Sequence, residues 1–297
     1  MKVALHSVSY AGLWGQPALS AEDTLRRAAD LGFDGVLLMG KRPHCSILDM
    51  TAERCAALAA LAAELGVTIV GLAGYTDFLA RSAGAEVPLA EQTIAAVAEL
   101  CRICADLGGS LVRVFTGYSR PDLAPAIAWA QVVAGLRESA ALAEAAGVTL
   151  AVQNHHDLAV DSGAFEALLR EVDHPACRAA FDAWSPALRG EDLYQAALRL
   201  GPLTVNTTVA DYVLRARWQY RPDCVNYQRL DPDEAVAVPL GEGVVAYEPF
   251  WCGLVDGGFD GWVTYEMCSP LRDGNSAAVL DRYARQAAEQ IRGWDAD

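Results

Sequence analysis

Four short apolar runs in this 297-residue chain each end on a side chain that could hold a proton or an ion. Leu150-Ala-Val-Gln-Asn-His-His156 carries Gln153, and Ala179-Ala-Phe-Asp-Ala-Trp184 carries Asp182. Leu203-Thr-Val-Asn-Thr-Thr-Val209 carries Asn206, and Val263-Thr-Tyr-Glu-Met-Cys-Ser-Pro270 carries Glu266. Each run is apolar and then abruptly polar, as a strand is when it leaves a core for an open face. In a parallel sheet closed into a barrel, the C-terminal ends of all strands meet on one face, where the chemistry sits. Oxygen donors from separate strands could there converge on one hard divalent cation, such as Mn2+, Mg2+, Co2+ or Zn2+. Such an ion would grip both oxygens of a hydroxy-carbonyl compound and acidify the C–H between them. The same four residues could equally form a hydrogen-bonded polar layer that binds substrate with no ion.

The elements that must position these residues follow from hydrophobic period. Strand-like runs fall at residues 3–8, 35–39, 68–74, 111–116, 149–155, 178–184, 203–209 and 262–268. Ala/Leu/Glu-rich runs of helical period fall at 21–31, 52–65, 90–107, 124–146, 162–172, 190–200, 247–257 and 277–291. Leu31-Gly32, Leu65-Gly66, Leu107-Gly108 and Ala146-Gly147 place glycine where a helix wants a left-handed cap. Ser20-Ala-Glu-Asp23 and Thr51-Ala-Glu-Arg54 look like capped helix starts. Eight strands alternating with eight helices predict a single (β/α)8 TIM barrel over residues 1–297. A doubly wound sheet would want a glycine-rich phosphate turn after its first strand, and His6-Ser-Val-Ser-Tyr10 is not one. The long connection 210–242, rich in Arg and Tyr, reads as a lid or a partner contact.

Composition narrows the partners. Hydrophobic residues make up 53% of the chain, ample for a core, and net charge is −15. That charge argues against a nucleic-acid partner, which calls for basic surface. No apolar run is long enough for a transmembrane helix, and the N-terminus opens on a strand rather than a secretory signal. The eight cysteines lack the density of a disulfide scaffold. Cys101 and Cys104 lie within a helical run, with no second pair to complete a zinc site. A reduced, cytoplasmic setting is expected.

Other side chains belong to the same face. Alternation puts His155 on the side of Gln153, and Asn154 and His156 on the other. His6 ends the first strand, and Lys41, Arg42 and His44 follow the second. Lys41 is a candidate contact for substrate, and its basic cluster could take an anionic group. Arg113, inside the fourth strand, is expensive to bury unless paired. Arg272 lies in the last strand-exit loop, where barrels often hold phosphate, and Arg217 and Arg221 are similarly placed. Trp14, Tyr75, Phe115 and Trp184 could form a wall for a sugar ring. His174, before the sixth strand, reads as structural.

Five segments carry a resemblance that covers essentially the whole chain. They are Val148-Thr-Leu-Ala-Val-Gln-Asn-His155, Ala180-Phe-Asp-Ala-Trp184, Val205-Asn-Thr-Thr-Val-Ala-Asp211, Pro239-Leu-Gly-Glu-Gly243 and Gly258-Phe-Asp-Gly-Trp-Val-Thr-Tyr-Glu266. In them the chain resembles the sugar phosphate isomerase/epimerase superfamily, the xylose-isomerase-like TIM barrels. The resemblance implies four metal ligands: Glu, Asp, His and Glu on strands five to eight. Asp182 and Glu266 match that pattern. Gln153 stands where Glu is usual, and Asn206 takes the place of His. In epimerases of this group the two glutamates also exchange protons with the substrate carbon, and Gln153 cannot do so. Glu266 remains as base and His155, on the face of Gln153, is the candidate for the second group. The resemblance also implies a carbohydrate-like substrate, and a homo-oligomer is compatible with it.

These observations predict an isomerase or epimerase of a sugar or related polyhydroxy carbonyl compound. Metal-assisted proton transfer next to the carbonyl is the expected step. Glu266 and His155 are the expected catalytic pair, and Gln153, Asp182, Asn206 and Glu266 the metal set. His6, Lys41, Arg113, Gln153, Trp184 and Arg272 are expected to bind substrate. A metal-free lyase or dehydratase and a non-catalytic sugar-binding barrel are the alternatives.

Overall fold

The computed structural model describes residues 1–81, 86–155 and 158–295. Its barrel strands are β1 (Lys2–His6), β2 (Gly35–Met39), β3 (Thr68–Ala73), β4 (Leu111–Val114), β5 (Thr149–Gln153), β6 (Cys177–Ala180) and β7 (Thr204–Val209). A hairpin, β8 (Asp211–Arg221) and β9 (Val225–Val238), precedes the last barrel strand, β10 (Trp262–Tyr265). The helices are α1 (Ala21–Asp30), α2 (Ala52–Leu65), α3 (Leu89–Asp106), α4 (Pro125–Ala145), α5 (Ser162–Val172), α6 (Trp184–Leu188), α7 (Leu193–Leu200), α8 (Tyr247–Asp256) and α9 (Ala277–Gly293). β1 to β7 and β10 pair in parallel and close into a (β/α)8 barrel in the order β1-β10-β7-β6-β5-β4-β3-β2. Helix signals act where the chain placed them. Ser20 and Thr51 side chains accept the amides of Asp23 and Arg54, and Gly32, Gly66, Gly108 and Gly147 all have positive φ.

Three differences from the expected elements matter for function. The strand ladders stop two to four residues early, at His6, Val114, Gln153, Ala180 and Tyr265. His6, Arg113 and Gln153 fall within the last ladder pairs of β1, β4 and β5, while Asp182 and Glu266 lie two residues and one residue beyond the ends of β6 and β10. Trp184, expected at the end of a strand, instead opens α6. The connection 210–242, which carried no strand signal, forms an antiparallel hairpin. Tyr220 and Tyr227 face each other across it, with ring centroids 5.4 Å apart, a cross-strand pair of the kind that stabilises a ribbon. The buried Asp211 carboxylate accepts the amides of Tyr212, Gly241, Gly243 and Val245, and so clamps the base of the hairpin to the barrel. A Cβ at position 243 would lie 1.9 Å from Asp211 Oδ1, so only glycine fits there.

The barrel interior has a floor. Ala4, Leu37, Val70, Ala73, Leu111, Ala151 and Ala180 pack together, with Val205 and Trp262 against them. On β1, β4, β5 and β6, alternation brings the residue two positions beyond Ala4, Leu111, Ala151 and Ala180 to the same side, one layer nearer the mouth. Among the described residues no helix is long and apolar enough to cross a membrane.

Candidate active site

The layer above the floor is where the chemistry collects. Two residues beyond Ala4 stands His6, beyond Leu111 Arg113, beyond Ala151 Gln153, beyond Ala180 Asp182 and beyond Thr264 Glu266. All are buried. A cavity of about 500 Å³ opens above them, lined by Arg113, Gln153 and Glu266 from this layer. Lys41, Tyr75, Phe115, His155, Trp184 and Cys268 come to it from the strand-exit loops and α6, and Tyr212 and Ala235 from the base of the hairpin. Trp14 and Tyr118 stand at its rim.

Two of the expected residues are not brought here. Asn206 lies one layer lower than expected, because the residue of β7 two positions beyond it is Thr208. Asn206 Oδ1 accepts the Thr264 hydroxyl at 2.7 Å, which makes it part of a buried polar pair beneath the site. Arg272 lines a separate surface groove with Arg215, Glu242 and Asp273. The expected basic cluster also divides. Lys41 turns to the cavity, while Arg42 pairs with Asp49 at 2.6 Å in an exposed loop. His44 is buried, and its Nδ1 lies 3.0 Å from the Ser7 hydroxyl that receives the Met39 amide. Arg217 and Arg221 stay on the hairpin. His174 receives the Ala176 amide ahead of β6, a structural place. His156 lies outside the described residues.

Asp182 is held from both sides. Its Oδ1 accepts the Thr208 amide at 2.7 Å, and its Oδ2 accepts the Gln153 carboxamide N–H. Asn154, on the outer face, bonds the Asp182 backbone in both directions, at 2.8 and 3.0 Å, and pins the ends of β5 and β6 together. Burial pushes the Asp182 carboxyl up to about 7, against the lowering effect of Gln153 and Thr208. Burial also raises Glu266, opposed by Arg113 and by the Cys268 thiol, which donates to Glu266 Oε1 at 3.3 Å. His6 is held well below its usual value by burial, with Arg113, His44 and Lys41 adding to the effect, so its ring is neutral. Because His6 Nδ1 accepts the Val8 amide, the neutral ring carries its proton on Nε2. That nitrogen lies 3.9 Å from Glu266 Oε2.

Aromatic faces build the walls. Trp184 packs on Tyr212 with ring centroids 4.0 Å apart. Phe115 lies 5.1 Å from the His155 ring and 5.9 Å from that of Tyr75. Lys41 Nζ stands 3.6 Å from the Tyr75 ring centroid. Tyr212 and Cys268 were not predicted as site residues. Cys268 shares the inward alternation of Glu266, which is a usable signal, whereas Tyr212 depends on the hairpin and has none.

The donor set does not fit a tightly held divalent ion. Both Asp182 oxygens already accept N–H groups, Gln153 is neutral, and the β7 position of this layer is Thr208 rather than a histidine. Arg113 brings a full positive charge to the same cavity. Among the described residues no three His, Cys, Asp or Glu side chains come together as a metal site. Of the expected set, Asn206 is not placed in one layer with Gln153, Asp182 and Glu266.

Comparison with known proteins agrees with the architecture. The family model described as xylose isomerase-like TIM barrel matches residues 25–292. The chain is 30% identical over 185 residues to 2-epi-5-epi-valiolone 7-phosphate 2-epimerase of Actinoplanes sp. SE50/110, a match spanning 62% of this chain and 65% of that protein. It is 22% identical over 290 residues to fructoselysine 3-epimerase of Escherichia coli O157:H7, covering 94% of each. The crystal structure of D-psicose 3-epimerase from Clostridium cellulolyticum H10 has the same fold, with a TM-score of 0.74 at 17% identity over 98% of both chains. With the barrel, the strand-end carboxylates and the matched span all in agreement, the chain belongs to the xylose isomerase-like TIM barrel family.

Proposed function

We propose that this protein is an isomerase or epimerase of a sugar or related polyhydroxy carbonyl compound, acting by proton transfer at the carbon next to the carbonyl. The observation that carries the reading is Glu266, a buried carboxylate of raised pKa that lines an aromatic-walled cavity of about 500 Å³. A base whose pKa is moved toward neutrality matches the task of taking a proton from carbon and giving it back. A cavity of this size, apolar with a few convergent polar groups, suits a small ligand. The epimerase names of the two sequence relatives point to the same reaction type.

In this reading Glu266 removes the proton, held in orientation by the Cys268 thiol on Oε1 and by the His6 Nε2–H beside Oε2. His155, which lines the same cavity, is the second proton carrier. Trp184, Tyr75 and Phe115 cover the apolar face of the ring or chain, and Gln153 positions a hydroxyl. No step is routed through a metal. The test is a panel of ketoses and cyclic polyhydroxy ketones incubated with the protein and followed by proton NMR. A new epimer or isomer with the parent protein, lost with Glu266→Gln, is expected. A product formed equally fast by Glu266→Gln refutes the assignment.

A further inference from the structure

One residue of the chemical layer is charged in the sense opposite to that of its acidic neighbours. Arg113 projects from β4 and is 3% exposed, yet no Asp or Glu among the described residues lies within ion-pair distance of it. Its Nη1 donates to the Gly74 carbonyl at 3.0 Å. Its Nη2 comes no closer than 3.4 Å to His6 Nε2, the nitrogen that already carries a proton. Its carbon centre rests 4.0 Å from the Phe115 ring centroid and 5.1 Å from that of Tyr75. The side chain is thus held by the Gly74 carbonyl, a hydrogen bond to Tyr75 and two ring faces, and it lines the cavity beside Gln153 and Glu266. A buried guanidinium without a paired carboxylate is costly to maintain. The guanidinium also lines the cavity, and a planar fork of N–H donors presented there suits an oxyanion.

We propose that Arg113 is the resident cation of this site and binds the oxygen on which negative charge develops during proton transfer. It does what a divalent ion would do if the donor set could hold one. The proposal rests on reading the cavity as the place of proton transfer. Glu266 takes the proton from the carbon beside the carbonyl, and the C–H electron pair becomes the new C=C bond. The carbonyl π pair moves onto oxygen, and the resulting enediolate oxygen is held by Arg113 N–H groups. Return of a proton to the opposite face of the same carbon, with the reverse electron flow, gives the epimer. No oxidant or reductant takes part. Lys41, which lines the same cavity with its Nζ 3.6 Å from the Tyr75 ring centroid, adds a second positive charge to the same field.

Two probes test this on the full chain. The first is Mn2+ alone, titrated calorimetrically into protein purified without chelator. No site tighter than millimolar is expected, and a near-stoichiometric micromolar site overturns the proposal whatever any variant does. The second is glycolohydroxamate, a small analogue of an enediolate, titrated in the presence of EDTA. Binding that survives EDTA, falls at least tenfold in Arg113→Gln and is partly restored in Arg113→Lys is expected. Absence of binding to the parent in EDTA, or equal binding to parent and Arg113→Gln, overturns it. Melting curves confirm that the variants fold, and the Mn2+ titration needs no variant. The function reading fails separately. Substrate C–H exchange that depends on Glu266 but vanishes with EDTA and returns with Mn2+ leaves that reading intact and overturns the part given to Arg113.

Discussion

Two adjacent layers of the barrel interior differ in almost every property except address. The floor is Ala4, Leu37, Val70, Ala73, Leu111, Ala151 and Ala180, all buried and apolar. One alternation further along the strands stand His6, Arg113, Gln153, Asp182 and Glu266, as deeply buried but polar or charged. The step between them is two residues, about 6.6 Å of strand. The floor earns stability by excluding water. The upper layer gives some of that stability up, because burying carboxylates raises their pKa and strands the Gln153 Oε1 atom without a partner. Function here sits on a scaffold complete without it, and the two layers should fail in different ways.

Substitutions can break that contrast. The largest effect is expected for Glu266→Gln, which keeps the shape of the upper layer and removes its base. Turnover should fall by about 10³-fold, within the range for loss of a general base, while the unfolding midpoint holds or rises. Leu111→Ala strikes the floor instead. It should destabilise by about 2–5 kcal/mol, as large-to-small core changes do, with turnover per folded molecule largely kept. Chemical denaturation and activity measured on the same preparations separate the two outcomes.

A subtler break uses pH. Asp182 is raised from about 3.8 unfolded to about 7 folded. The folded state therefore favours its protonated form. The stability this contributes is fully present below about pH 4 and is lost as pH rises through about 7. Asp182→Asn removes the dependence. Its Oδ1 can keep the Thr208 amide, and Gln153 can turn its free Oε1 toward the new amide. The variant should therefore gain on the parent between pH 4 and 8, by on the order of 2–4 kcal/mol, in melts across that range. Equal pH slopes for parent and variant would show that Asp182 is ionised at no cost.

The smallest effect is expected at Cys268. Its thiol stabilises the Glu266 carboxylate, so Cys268→Ala should raise the Glu266 pKa further. The acid limb of the pH–rate profile should move to higher pH by less than about one unit, because a single weak donor is lost. Cys268→Ser, which restores a donor, should move it back.

Much of this was legible in the chain, for physical reasons that particular residues show. Helix ends were legible because Ser20, Thr51 and the four positive-φ glycines act locally. Glu266, Asp182 and Gln153 were legible because an apolar strand that turns polar marks the barrel mouth. Arg113 stood out as a charge inside an apolar run. Alternation assigns a face but not a layer, and that is how Asn206 was placed one step too high. Register between strands is a tertiary property: Asn206 pairs with Trp262 across the ladder, well below Glu266. The hairpin escaped because its strands are exposed on both faces, so no buried stripe marked them. Tyr212 was hidden with it. Arg272 sat in the right loop but turned outward, which the order of residues cannot show.

The most direct test of the account is deuterium incorporation from D2O into the C–H beside the substrate carbonyl, measured with EDTA present for the parent and for Glu266→Gln. The account predicts exchange by the parent that falls about 10³-fold in the variant, with the variant folded and its midpoint no lower than the parent's. Equal exchange by both would contradict it, because proton transfer would then belong to another group.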